Sequence, residues 1–256
     1  FAKVGLNNPS FIRLDADAGL SPNLHVSFFT VRNEEKDAAL LYLLREYIDT
    51  LWNKAFPDKQ IVAQRGEHSK KKIIIFCASR HHVEYIMALL EAAGIHALGV
   101  YGKMDQAARR IGLAKFARGI VPILVVTDVA ARGLDLPDIE VVVNYDYPPR
   151  PKLFIHRVGR TARLDSRTGQ YSTGMALTLV GPDDWPHLVD TSLTLDLQLH
   201  NKTVEKTEGD NKTAYYGNVP QLLVDMELER IHVLLDQSID LVSWRACVLK
   251  ITEMKR

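Results

Sequence analysis

Short apolar runs rich in Val, Ile and Leu recur along the chain with amphipathic stretches between them, which is the pattern of strands joined by crossover helices. The runs fall at His25–Val31, Ile73–Cys77, His96–Val100, Ile123–Thr127, Glu140–Asn144 and Met175–Val180. They are short and almost continuously apolar. Such strands suit a parallel sheet covered on both faces, because alternating polar residues would be pressed against helices. The pattern predicts an α/β fold.

Asn33 is placed to cap a first helix, with Glu34 and Glu35 in its first turn and an apolar face of Leu40, Leu44, Tyr47 and Leu51. A second helix shows Val83, Ile86 and Leu90 and stops at Gly94. A third runs from about Asp105 to Arg118 and ends at Gly119, and a fourth starts after Pro151 and continues through a basic block. Two segments depart from the alternation. Trp52–Lys72, with Pro57, Gly66 and Lys70-Lys71-Lys72, reads as a long, polar, mobile surface loop. Thr194–Pro220 is similarly polar, and a helix with Val224, Leu228, Ile231 and Leu235 on one face follows it. The chain thus divides into a lead-in of residues 1–24, a main domain of residues 25–185 and a partly helical C-terminal extension of residues 186–256.

The length of 256 residues, with 46% hydrophobic and 25% charged positions, allows a sizeable core. No run approaches the roughly 18 uncharged apolar residues of a membrane span, and no signal-like stretch opens the sequence, so an intracellular protein without a membrane partner is expected. Cys77 and Cys247 each lie in an apolar stretch, too few for a disulfide scaffold and without zinc-site spacing. The histidines form no metal-ligand pattern, no nucleophilic triad can be assembled, and no metal site is expected. Net charge is +1, but it is unevenly spread. Val100–Arg118 carries five Lys or Arg against one Asp, and Arg150–Arg167 six against one. Gly181–Arg256 carries eight basic and thirteen acidic residues, so the basic blocks are local features, compatible with a polyanionic partner.

Two segments carry candidate chemistry. Val126-Thr127-Asp128-Val129-Ala130-Ala131-Arg132-Gly133-Leu134-Asp135 follows an apolar strand directly. Ligands of open α/β sheets bind beyond the carboxyl ends of strands, and Gly133 lets backbone approach a ligand closely. Simple capping by Thr127 and Asp128 is the other reading of the same residues. The second segment is His156-Arg157-Val158-Gly159-Arg160-Thr161-Ala162-Arg163. If helical, it stacks His156, Arg160 and Arg163 on one face, where like charges repel unless an anion such as a phosphate chain sits opposite. Arginine's planar fork suits phosphoryl oxygens, although a solvated basic face is the alternative.

These segments come in one order with Ile74-Ile75-Phe76-Cys77-Ala78-Ser79, Tyr101-Gly102-Lys103-Met104-Asp105-Gln106-Ala107-Ala108-Arg109 and Val143-Asn144-Tyr145-Asp146-Tyr147-Pro148. Together they resemble the second RecA-like domain of DEAD-box RNA helicases, over about residues 26–180. The resemblance implies a RecA-like parallel sheet and a set of roles. Arg160 and Arg163 would reach the ATP γ-phosphate across a domain cleft, and His156 would bond to the partner domain. Gly133 and Asp135 would contact the nucleotide. Arg80, Gly102, Gln106, Arg109 and Thr127 would line an RNA-backbone track.

Neither Gly-x-x-x-x-Gly-Lys-Ser/Thr nor Asp-Glu-Ala-Asp occurs in the chain. By the resemblance, ATP and Mg2+ would be held mainly by an N-terminal RecA-like domain absent from the sequence. Phe1–Asp15 looks like the end of that domain and the start of a linker, so a fragment of a longer protein is expected. Tyr101-Gly102 stands where the family usually has His-Gly, and Ala162 where it usually has Gly. With the opening segment, these departures look more like the nucleolar members that mature the large ribosomal subunit than like translation-initiation helicases, which implies ribosomal RNA and pre-ribosomal proteins as partners. The expected activity is RNA-stimulated ATP hydrolysis that unwinds or remodels RNA. The rival is a non-enzymatic RNA-binding assembly factor or placeholder on a ribonucleoprotein particle.

Overall fold

The computed structural model describes residues 20–59, 71–102, 104–134, 136, 139–165, 169–201 and 213–218. Each predicted strand forms, with ends shifted by no more than one residue: β1 (Leu24–Thr30), β2 (Ile73–Cys77), β3 (Ala97–Val100), β4 (Ile123–Thr127), β5 (Val141–Asn144) and β6 (Gly174–Val180). Two further strands, β7 (Gln198–Asn201) and β8 (Thr213–Asn218), lie in the stretch expected to be polar loop. The sheet order is β3-β4-β2-β5-β6-β1-β8-β7, and every pairing is parallel. The extension therefore continues the sheet through β8 against β1, and the helix expected around Val224–Leu235 lies outside the described residues.

Parallel pairing demands a crossover between neighbours, and the helices supply it on both faces. They are α1 (Lys36–Tyr42), which passes through a wider turn at Leu43–Tyr47 into α2 (Ile48–Ala55), then α3 (Arg80–Ala92), α4 (Gln106–Ala117), α5 (Asp128–Ala131), α6 (Pro151–Val158) and α7 (Trp185–Thr194). Alternate strand residues divide between the faces. Ile73, Ile75, Cys77, Ile123, Val125, Val141 and Val143 pack with Leu40, Leu44 and Ile48 and with Val83, Ile86 and Leu90 of α3. Ile74, Phe76, Leu124, Val126 and Val142 point the other way, against Phe116 of α4. Val26, Phe28, Ala176 and Val180 meet Phe154 and Val158 of α6 and Leu188 of α7. This two-sided burial is why the strands lack polar alternation.

Local corrections follow from the same packing. Asn33 does not cap the first helix; it opens a short 3-10 turn whose entry is closed by Arg32 N–H donating to Glu35 Oε2 at 3.3 Å. Trp52 and Lys71, read as part of a surface loop, are both buried. Trp52 belongs to α2, and the Lys71 ammonium lies 3.7 Å from the centre of its ring. Gly94 and Gly119 end α3 and α4 as expected, with φ of +72° and +73°. Cys77 is wholly buried at the end of β2 between β4 and β5.

Gly174 opens β6 where the chain after α6 crosses it. A methyl group there would overlap Thr161 Oγ1 and stand 2.6 Å from the Ala162 nitrogen. Thr161 cannot yield, because its hydroxyl donates to the Ile139 carbonyl at 2.6 Å and its backbone bridges Ile139. Gly174→Ala should therefore destabilise the domain by about 1–3 kcal/mol in urea unfolding, with the slope against urea unchanged.

Candidate functional site

Because all strands run the same way, β2, β3, β4 and β5 deliver Cys77, Val100, Thr127 and Asn144 to one edge of the sheet. The loops at that edge carry the candidate residues, and a single side chain joins them. Arg157, on α6, is 1% exposed. Its Nε and Nη2 donate to Asp128 Oδ1 and Oδ2 at 2.7 and 2.8 Å, a two-pronged match of guanidinium to carboxylate. Its Nη1 donates to the Asp146 carbonyl at 2.6 Å and to Asn144 Oδ1 at 3.3 Å, and the guanidinium lies 5.1 Å from the centre of the Phe76 ring. Arg157 thus binds the ends of β2, β4 and β5 to α6.

Beside this link lies a cleft of about 480 Å³ whose lining includes Asp128, Arg132, Arg150, Lys152, His156 and Arg160. The Asp128 carboxylate is already matched by Arg157, so the remaining formal charges around the cleft are cationic. Arg160 Nη1 donates to the Leu134 carbonyl at 3.4 Å. Burial, and then the nearby charge of Arg163, lowers the pKa of Arg160 below its usual value. A cation held at such a cost gains from an incoming anion. Arg132, Arg150 and Lys152 were not assigned roles in the sequence, although Arg132 lies within the Val126–Asp135 segment and Arg150 and Lys152 within the Arg150–Arg167 basic block.

His156 and Arg160 share this cleft, but Arg163 does not. The predicted single helical face is corrected by the end of α6 at Val158. Gly159 follows, Arg160 and Thr161 N–H close back onto the Arg157 and Val158 carbonyls, and Ala162 takes φ of +51°. That left-handed conformation suits glycine and strains alanine. The chain therefore turns away before Arg163, whose Nε donates to the Gly159 carbonyl at 3.0 Å. Arg163 lines a separate cavity of about 290 Å³ with Leu20, Leu24, Ile155 and Tyr171. Gly133 sits just past α5 with φ of +70°, and Asp135 lies outside the described residues.

The other predicted residues follow the loops after β2, β3 and β4. Arg80 begins α3, capped by Ser79, whose hydroxyl accepts from His82 N–H at 3.2 Å. Gly102 turns the chain after β3, and Gln106 begins α4, where Asp105 caps Ala108 N–H at 2.8 Å. Arg109 reaches across to donate through Nη2 to the Ala130 carbonyl at 3.0 Å, joining α4 to α5. Thr127 is nearly buried, and its Oγ1 accepts from Ala130 N–H at 3.4 Å, so the capping reading describes what it does in this structure.

Behind the edge, Asp146 Oδ2 accepts from Ala78 N–H at 2.7 Å and meets His82 Nδ1 at 2.5 Å, while Lys36 Nζ stands 3.7 Å from Oδ1. Burial by itself would raise this carboxyl; the His82 and Ala78 hydrogen bonds and the Lys36 charge outweigh it and hold the pKa well below the usual range. Asp37 accepts hydrogen bonds from the Tyr85 and Tyr145 hydroxyls, the latter at 2.7 Å. Asp146 thus ties the start of the loop after β2 and α3 to the segment after β5, and Asp37 ties α1 and α3 to that same segment. Among the described residues no group of His, Cys, Asp and Glu is arranged to hold a metal ion.

Comparison with known proteins bears on the fold and the family of the chain. Residues 57–165 match the helicase conserved C-terminal domain. The chain is 41% identical over 251 residues to the ATP-dependent RNA helicase ddx54 of Dictyostelium discoideum, covering 95% of the chain and 22% of that protein. It is 39% identical over 264 residues to the ATP-dependent RNA helicase dbp-10 of Neurospora crassa, covering 98% of the chain and 28% of the relative. The chain thus spans less than a third of each of these relatives. Among solved structures, the E. coli DEAD-box protein SrmB bound to RraA superposes with a TM-score of 0.55 at 26% identity, over 78% of this chain and 93% of that one. A Saccharomyces cerevisiae Dbp5 variant bound to RNA and ADP BeF3 shares the fold, with a TM-score of 0.60 at 21% identity over 92% of this chain and 50% of that one.

Arg157→Ala should leave Asp128 without its counter-charge and cost about 2–5 kcal/mol in stability. Arg157→Lys should recover only part of it, since one ammonium cannot meet both carboxylate oxygens and the Asp146 carbonyl. Chemical denaturation of the two variants checks both expectations.

Proposed function

From the premise that this chain carries the C-terminal RecA-like helicase domain of a DEAD-box protein, we propose that the full-length protein is an RNA-stimulated ATPase that unwinds or remodels RNA. The observation that supports this most is the cationic cleft beside the Arg157–Asp128 pair, with Arg160 and His156 on its wall. Its donor set fits a polyphosphate. Arg160, with Arg163 after a swing off the Gly159 carbonyl, would stabilise charge developing on the transferred phosphoryl group. His156 would bond to the first RecA-like domain as the two close, and Gly133 and Asp135 would contact the nucleotide. Bound ATP supplies the phosphoanhydride whose cleavage lets the domains reopen, and carboxylates of the first domain would hold the Mg2+.

RNA would lie along the loops after β2, β3 and β4, against Arg80, Gly102, Gln106 and Arg109, with Thr127 at the inner end. Contacts there are to sugar and phosphate, hence largely indifferent to sequence. The subgroup resemblance of Tyr101, Ala162 and the opening segment supports ribosomal RNA as the substrate, pre-ribosomal proteins as neighbours and the nucleolus as the location. We retain residues 25–185 as the helicase domain, with residues 1–24 as lead-in and linker and residues 186–256 as the extension.

Full-length protein provides the test. Arg163→Ala should lower RNA-stimulated ATP hydrolysis by about a hundredfold or more, while ATP affinity without RNA changes little. Arg109→Ala should weaken binding to two unrelated oligonucleotides alike and reduce the salt slope by about 0.7, for one lost contact to a single strand. Wild-type turnover in Arg163→Ala would remove its phosphoryl role. Normal RNA binding with no RNA-stimulated hydrolysis in the unaltered protein would favour the non-enzymatic assembly factor.

A further inference from the structure

Of the residues assigned to RNA, Arg80 is the exposed cation whose guanidinium is restrained by both a carboxylate and an aromatic ring. It stands on the surface at the start of α3, yet two elements restrain its guanidinium. Its Nε donates to Glu84 Oε1 at 2.8 Å one helical turn on, and the guanidinium carbon lies 5.0 Å from the centre of the Tyr101 ring. Tyr101 follows β3, and its ring packs partly buried against the large core. The platform under Arg80 therefore comes from a different element, the segment that follows β3.

The charges favour an anionic ligand over an intramolecular dead end. The Arg80 side chain is 51% exposed, whereas that of Glu84 is 14% exposed, so the surface presents the guanidinium and largely hides the carboxylate. His81 Nδ1 also stands 3.8 Å from Glu84 Oε2. The carboxylate of Asp105, on the neighbouring loop, is engaged in capping α4. Among the described residues Nε is the only Arg80 nitrogen with a hydrogen-bond acceptor, which leaves the two terminal nitrogens for a ligand.

We propose that Tyr101 and Glu84 are positioning residues that hold Arg80 in advance as a phosphodiester ligand for single-stranded RNA. The inference rests on the assignment of Arg80 to the RNA track. A long exposed side chain ordinarily loses rotamer freedom when it grips a phosphate; here that ordering is already present in the unbound protein. Tyr101 acts through Arg80 and does not stack on a base.

A double-mutant cycle on the full-length protein, read by binding of fluorescent oligo-U and oligo-A, tests this. Tyr101→Leu should weaken binding about two- to fivefold for both oligonucleotides, and Tyr101→Phe, which keeps the ring face, should restore it. Glu84→Leu should bind about threefold weaker than Glu84→Gln, since both lack the charge but only Gln keeps an acceptor for Nε. In an Arg80→Ala background each of these differences should vanish. If the Tyr101→Leu loss persists there undiminished, Tyr101 touches RNA on its own account and the proposal fails. If Glu84→Leu and Glu84→Gln bind alike, Glu84 has no positioning role. Should Arg80→Ala itself leave affinity unchanged, the RNA-track assignment falls and takes this inference with it.

Discussion

The site depends on one buried charge being fully spent. Arg157 makes four hydrogen bonds to three residues, in a place where an unmatched guanidinium would be prohibitive. Taking two ions out of water costs several kcal/mol each, and attraction offsets it only where geometry is good and the remaining donors are used. Here the fork meets both Asp128 oxygens, and the third nitrogen closes on the β5 side. The pair is thus a locating device: it fixes where α6 sits relative to the end of β4, and with it the placement of the His156–Arg163 segment beside the Val126–Asp135 segment. The cleft's positive character is a by-product, because the one carboxylate on its wall is neutralised from behind.

A parallel sheet makes that arrangement possible. Its strand ends converge on one edge, the helices that follow begin there, and the polar loops need only short reach to meet. The supporting networks of Asp37 and Asp146 lie just under this edge and are buried, so they stiffen loops that would otherwise be free at the surface. Arg109 ties α4 to α5 in the same way, through the Ala130 carbonyl. Residues assigned to RNA and residues around the cleft are therefore coupled through a few shared loops.

Much of this was legible in the sequence, for identifiable reasons. Strands β1 to β6 stood out because burial on both faces removes polar alternation, and Gly94 and Gly119 marked helix ends that the backbone respects. The role of Arg157 was missed because attention went to the cations that could face a ligand. Its signal was present: Phe154, Arg157 and Val158 have i, i+3, i+4 spacing, which puts the arginine on the buried face of α6. The shared face of His156, Arg160 and Arg163 failed because the helix does not continue past the turn at Gly159, and the positive φ of Ala162 was signalled only by the glycine that the resembled family usually has at that position. Strands β7 and β8 were overlooked beneath a polar average: of Leu195, Leu197 and Leu199, which alternate with period two, only Leu199 falls within β7, and Leu195 closes the end of α7.

The position of Cys77 has a consequence for oxidation chemistry. The thiol ends β2, with strands paired on both sides and helices over both faces, and burial first, then the charge of Asp146, pushes its pKa well above the ordinary value. Thiolate is the species that peroxide and alkylating reagents attack, and at this position it is suppressed as well as walled off. An oxidant would have to open the core packed over the end of β2 before reaching sulfur. The cysteine is for that reason a structural hydrophobe, and oxidative stress would register at this position as damage to already unfolded chains and not as a signal in folded ones.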